Sequence, residues 1–194
     1  MDQILLFLIS SLVLTLMPGP DILFVINQSL ENKKKGFLIS IGLCSGLIIH
    51  TSFLVLGLSA FIENNENLII YLKYFGALYL FYLAFIELKS KKKSVEKNSR
   101  SYFLRGFYMN LINPKVLLFF IAYFPNFLFS DKILISLQFL ILGSIFIAQA
   151  LIVFISVSFT SNKLVSILKI NSQSTKMNYI KSLVLLLIGV LILI

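Results

Sequence analysis

The polar side chains standing deepest in apolar stretches of this sequence are Asp21, His50, Lys115 and Gln149. Asp21 belongs to Leu16-Met17-Pro18-Gly19-Pro20-Asp21-Ile22-Leu23-Phe24, inside the apolar run Ile4 to Ile26. Pro18 and Pro20 bring no N–H, so carbonyls one turn earlier lose their helical donors. In hydrocarbon an unpaired backbone group is costly, and broken backbone survives only inside protein or beside a water-filled cavity. An acid just past such a break is a candidate for holding an ammonium group or carrying a proton. The plainer alternative is an N-cap of the second half-helix.

A second cluster lies in Arg105-Gly106-Phe107-Tyr108-Met109-Asn110-Leu111-Ile112-Asn113-Pro114-Lys115. At a helical rise of ~1.5 Å per residue, Lys115 stands roughly 15 Å past Arg105. An ammonium at that depth needs a partner or water. Asn113 precedes Pro114 and is biased away from the α region, so a second helix break is expected there. Lys115 could then bind a carboxylate or pair with Asp21. Alternatively the stretch is interfacial and the span starts later, although Phe119 to Phe129 alone is too short to cross.

Gly42, Gly46, His50, Phe53 and Gly57 recur at helical spacing on one face. Gly42 and Gly46 form a small-xxx-small pair that admits a neighbouring helix. His50 on that face is read either as a proton relay or carboxylate ligand, or as a neutral ring bonded to the facing helix. Gln149 is the deepest of Gln138, Ser144, Gln149 and Ser156, and interhelical hydrogen bonding is its plain role. Tyr79 and Tyr82 read as core packing rather than cavity lining, and Glu87 as an ordinary residue near a span end.

The elements that hold these residues follow from composition. The chain has 194 residues, is 58% hydrophobic and carries a net charge of +9 with only 13% charged residues. The bilayer is the expected solvent. The bases sit in short clusters between apolar runs, which fits loops near anionic lipid rather than nucleic acid. Cys44 is the only cysteine, which excludes an intrachain disulfide, and a single His beside it makes a zinc site improbable. Met1-Asp2-Gln3 is not a basic leader, so the first apolar segment is expected to stay in the mature protein.

Six apolar stretches are each expected to span: Ile4 to Ile26, Phe37 to Ile62, Leu68 to Leu88, Gly106 to Phe129, Ile133 to Phe159 and Met177 to Ile194. Lys33 to Lys35, the loop from Lys89 to Arg105, and Lys163 to Lys181 make every second connection basic. The positive-inside rule then places both termini outside. Three spans on each side of residues 91–101 suit an inverted repeat, with halves 1–90 and 102–194 forming one transporter domain.

Pro18-Gly19-Pro20-Asp21 resembles the first-helix motif of the LysE/RhtB family of amino acid exporters. Gly42-Leu43-Cys44-Ser45-Gly46 through His50 to Gly57-Leu58 is similar to that family's second helix. Leu72-Lys73-Tyr74-Phe75-Gly76-Ala77-Leu78-Tyr79-Leu80 resembles its third. Met109-Asn110-Leu111-Ile112-Asn113-Pro114-Lys115 through Phe124-Pro125-Asn126-Phe127 resembles its Asn-Leu-x-Asn-Pro-Lys block with a later Phe-Pro-x-Phe. The resemblance implies a bacterial inner-membrane exporter of amino acids driven by the proton gradient. Many relatives carry an acid in the fifth helix, where this chain has Gln149-Ala150, and related redox transporters use paired cysteines that this chain lacks.

The expectation is an all-α, polytopic bundle of six spans, arranged as two inverted three-helix repeats with broken first helices. It exports a small zwitterion, an amino acid or derivative, by proton antiport with alternating access. The candidate substrate and coupling residues are Pro18, Gly19, Pro20, Asp21, Gly46, His50, Asn110, Asn113, Pro114, Lys115 and Gln149. Protons, an amino acid-like solute and the lipid bilayer are the expected partners, and a homo-oligomer is compatible with the sequence. Enzyme activity, a cofactor, a bound metal and nucleic acid are not expected. The rival readings are an ion or metal exporter of the same architecture, and a membrane scaffold or assembly factor.

Overall fold

Prolines and polar residues decide where the helices of this chain stop, and glycines decide how closely they approach. A computed structural model describes residues 2–17, 19–65, 67–89, 101–168 and 175–193, and no strand occurs among them. Helix α1 (Asp2–Leu16) ends at the Pro-Gly-Pro stretch, and α2 (Pro20–Glu31) restarts beyond it at an angle of 54°. Pro20 occupies the first helical position, where a missing N–H costs nothing, and Asp21 in the same turn complements the positive end of the helix dipole. Asn32 closes α2 and opens α3 (Lys33–Phe53), its side chain accepting the Lys34 N–H at 2.8 Å. A π-turn (Leu54–Leu58) and α4 (Ser59–Glu63) extend α3 into a rod of 31 residues.

Helix α5 (Leu68–Lys89) follows a short turn. In the second half, α6 (Tyr102–Leu111) and α7 (Pro114–Tyr123) are separated by Ile112 and Asn113, and a 3-10 turn (Phe124–Phe127) ends the pair. Helix α8 (Ile135–Leu168) has 34 residues and α9 (Thr175–Leu193) has 19. At a helical rise of ~1.5 Å per residue, α8 exceeds a hydrocarbon core of ~30 Å. Among the described residues, α3 with its extension, α5 and α8 are each long and apolar enough to cross a membrane, and α1 with α2 makes a fourth if the bent pair is one span. The expected six spans therefore reduce to three clear ones, or four. The sixth stretch falls partly outside the described residues, and the fourth is split into two short helices.

Helix directions follow from the contacts. A Cβ on Gly42 would strike the Phe103 carbonyl, and one on Gly106 would strike the Ile39 carbonyl. These two glycines let α3 and α6 run in parallel at backbone contact. Thr51 sits on Gly143 while Ser29 and Lys33 meet Ser158, so α8 runs antiparallel to α3. Helix α5 meets α9 antiparallel, with Leu80 and Phe81 against Gly189. The glycine face of α3 is buried as far as His50, whereas Phe53 is exposed. That face loses its cover where α6 ends, at Leu111.

Candidate functional site

Both helix breaks open on one cavity of about 90 Å³, well above the ~10–15 Å³ that a single water needs. Gly19, Pro20 and Asp21 line it from the start of α2, and Thr15 from the end of α1. Asn110 and Asn113 line it from the second break. The remaining wall is apolar: Leu47 from α3, Leu80 and Leu83 from α5, Phe146 and Phe154 from α8, and Leu185 from α9. The cavity is thus amphipathic, with its polar groups gathered at the two breaks.

Each break has its own backbone solution. Pro114 cannot supply the N–H that the Asn110 carbonyl would accept in a continuous helix. That carbonyl accepts the Asn113 N–H at 3.1 Å, and His50 Nε2 lies 3.4 Å from it. His50 is buried with its ring 5.4 Å from Phe120. It therefore acts in this structure as a tie across the second break. Asn113 in turn accepts the Val116 and Leu117 N–H groups at 3.0 and 3.2 Å, which starts α7. At the first break Met17 donates to the Val13 and Leu14 carbonyls, and Gly19 donates to Met17 at 2.6 Å.

Gly46 supplies the notch for Asn110. A Cβ at position 46 would lie 2.6 Å from Asn110 Oδ1 and 2.9 Å from its Cβ. Asn110 is only 2% exposed, and its Oδ1 has no hydrogen-bond partner among the described residues. A buried amide oxygen left so costs ~1–3 kcal/mol, which marks a place for a water or a ligand donor.

The other sequence candidates divide clearly. Gln149 lies outside the cavity lining, where its Oε1 accepts from Ser11 at 3.4 Å and joins α1 to α8. Pro114 and Lys115 form the first turn of α7, but their side chains lie outside the described residues, as does Pro18 altogether. Tyr82 is exposed and Tyr79 half-buried, so neither packs in the core as their spacing suggested. Sequence reasoning missed Thr15, although Ser11 and Thr15 stand four residues apart and share a face of α1. It also missed an aromatic block beyond the cavity, in which Phe119 stacks on Tyr123 at 4.4 Å and Phe120 on Phe124 at 4.3 Å. Phe7 of α1 locks into this block against Phe124 and Phe127, and Ser10 bonds the Tyr123 hydroxyl.

Residues 12–194 match the LysE type translocator family, a match that takes in both breaks and every described cavity-lining residue. The chain belongs to that family. As a LysE type translocator it is a membrane transporter and not an enzyme. It is 28% identical over 171 residues to the uncharacterized membrane protein YrhP of Bacillus subtilis (strain 168), covering 80% of this chain and 81% of that protein. It is 29% identical over 130 residues to a leucine efflux protein of Salmonella choleraesuis (strain SC-B67), covering 63% of this chain and 61% of that protein. A leucine efflux protein of Salmonella paratyphi A matches to the same extent. No solved structure matches the chain.

Proposed function

We propose that this translocator exports a neutral amino acid with an apolar side chain through the cavity between the two breaks. One observation carries the reading: the polar groups of both breaks face a single cavity whose other walls are apolar, chiefly Leu and Phe. Discontinuous helices that meet at mid-membrane are a common way to build a substrate site. The N-termini of α2 and α7 turn the positive ends of two helix dipoles toward a carboxylate. The ammonium is received by Asp21 and by the Asn110 Oδ1, and the side chain by the apolar wall. The name of the Salmonella relatives, leucine efflux protein, agrees with a wall of that character.

In this reading Lys115 holds the substrate carboxylate, or holds Asp21 when the cavity is empty, and Asp21 carries the proton that couples export to the gradient. Access alternates as the halves rock about the two breaks. The antiparallel pairing of α3 with α8 and of α5 with α9 agrees with a two-fold axis relating the halves. The basic turns face the cytoplasm and both termini the outside of a bacterial inner membrane.

Thermal unfolding of the purified protein in detergent tests the site itself. L-leucine at ~100 times its dissociation constant should stabilise by ~2.7 kcal/mol, whereas L-lysine and 4-methylpentanoate should leave the transition unmoved. Equal stabilisation by leucine and lysine would contradict the apolar wall as a selector.

A further inference from the structure

An ion pair between Glu87 and Lys181 lies just outside the cavity lining. Lys181 Nζ lies 2.9 Å from Glu87 Oε1, and the two side chains retain 7% and 20% of their exposure. Sequence reading gave Glu87 no role and counted Lys181 among the bases of a connection, whereas it lies within α9. Their helices explain the position. Glu87 follows Leu83 by one turn of α5, and Lys181 precedes Leu185 by one turn of α9. Leu83 and Leu185 both line the cavity, so the pair forms the next layer between the same two helices. Gly76 of α5 packs on Ala122 of α7 on one side of the cavity, so Glu87 lies toward the other side, where Lys35 stands over Tyr102 at the start of α6.

The opposite end of the cavity is closed by the aromatic block of Phe7, Phe119, Tyr123, Phe124 and Phe127. At the basic end the pair adds one charge contact to the apolar packing of α5 on α9, where Ala84 and Leu185 are buried. A shielded ion pair gives modest net stabilisation but resists removal of either partner alone, because the charge left behind is unpaired.

We propose that Glu87 and Lys181 form the gate at the basic end of the cavity, and that α5 and α9 part there to admit substrate. A zwitterion suits this gate, since its ammonium and carboxylate can meet Glu87 and Lys181 as the pair separates. The proposal rests on the transport reading above. It is tested with Glu87→Cys and Lys181→Cys together in a Cys44→Ser background, bridged by a bifunctional methanethiosulfonate. In inverted vesicles, bridging should lower leucine uptake about tenfold or more, and a reductant should restore it. Unchanged uptake after complete bridging would overturn the gate.

A second arm does not depend on transport. In purified protein, Glu87→Gln with Lys181→Met should speed maleimide labelling of a cysteine placed at Val116 about fivefold over the protein with the pair intact. Equal labelling rates would overturn the gate as well. If labelling rises while no variant, nor the unmutated protein, takes up any amino acid, the gate stands and the transport reading fails.

Discussion

Asn110 and Gly46 are the residues on which the site's geometry depends most closely. The Asn110 side chain fits only because position 46 has no Cβ. Gly46→Ala should overpack this notch, lower stability by ~1–3 kcal/mol and weaken leucine binding, as read by unfolding with and without ligand. Asn110→Ala removes the unsatisfied oxygen and should weaken leucine affinity about tenfold, while thermal stability of the ligand-free protein falls less than for Gly46→Ala. Asp21 and Lys115 belong to the same scale. Asp21→Asn should abolish gradient-driven uptake with the protein still folded and inserted. Asp21→Asn and Lys115→Met should each lower stability, and the double variant should recover part of the loss, with a coupling of ~0.5–3 kcal/mol if the two share the cavity. Strictly additive losses would separate them.

At the scale of elements, the two breaks and a close helix approach on the glycine face of α3 were legible in the sequence. Proline chemistry is local, so Pro18, Pro20 and Pro114 announce where a helix cannot continue. Gly42 and Gly46 announce a close neighbour, and α6 is that neighbour. What the sequence did not disclose is which neighbour meets which polar residue. His50 ties down the Asn110 carbonyl, and Gln149 reaches Ser11; both outcomes depend on helices distant in the chain. Gln138 makes the same point. It accepts from the Phe129 and Ser130 N–H groups and donates to the Ser130 and Ile133 carbonyls, each between 2.7 and 3.1 Å, and so pins the turn before α8. Nothing local to Gln138 predicts that role. Gly106→Leu should force α3 and α6 apart, because its side chain would meet backbone at Ile39 and Leu43 rather than a movable side chain. The expected result is a melting temperature lower by several degrees and loss of leucine binding, since the Asn110 notch lies one turn along the same crossing.

For the whole molecule, composition pointed to a bilayer, and the charge of its turns gives the orientation to be tested. The directions of α3, α6, α8, α5 and α9 agree with alternating spans, although only three helices, or four with the bent pair, pass as crossings by length and apolarity among the described residues. The short helices α6 and α7 fall below that length because Asn113 and Pro114 divide them. Labelling in a Cys44→Ser background checks the orientation. A cysteine at Asn65 should react from outside and one at Ser94 from the cytoplasm, and the reverse pattern would invert the topology.

In the proposed function, the cavity between the two breaks carries a neutral apolar amino acid out of the cell. Uptake of labelled leucine into inverted vesicles, with an imposed interior-acid pH gradient, measures that transport. Vesicles containing this protein should accumulate leucine well above vesicles that lack it, collapse of the gradient should remove the excess, and Asp21→Asn vesicles should match the empty ones. Uptake no greater than in empty vesicles, for leucine and for a panel of neutral amino acids alike, would contradict that function.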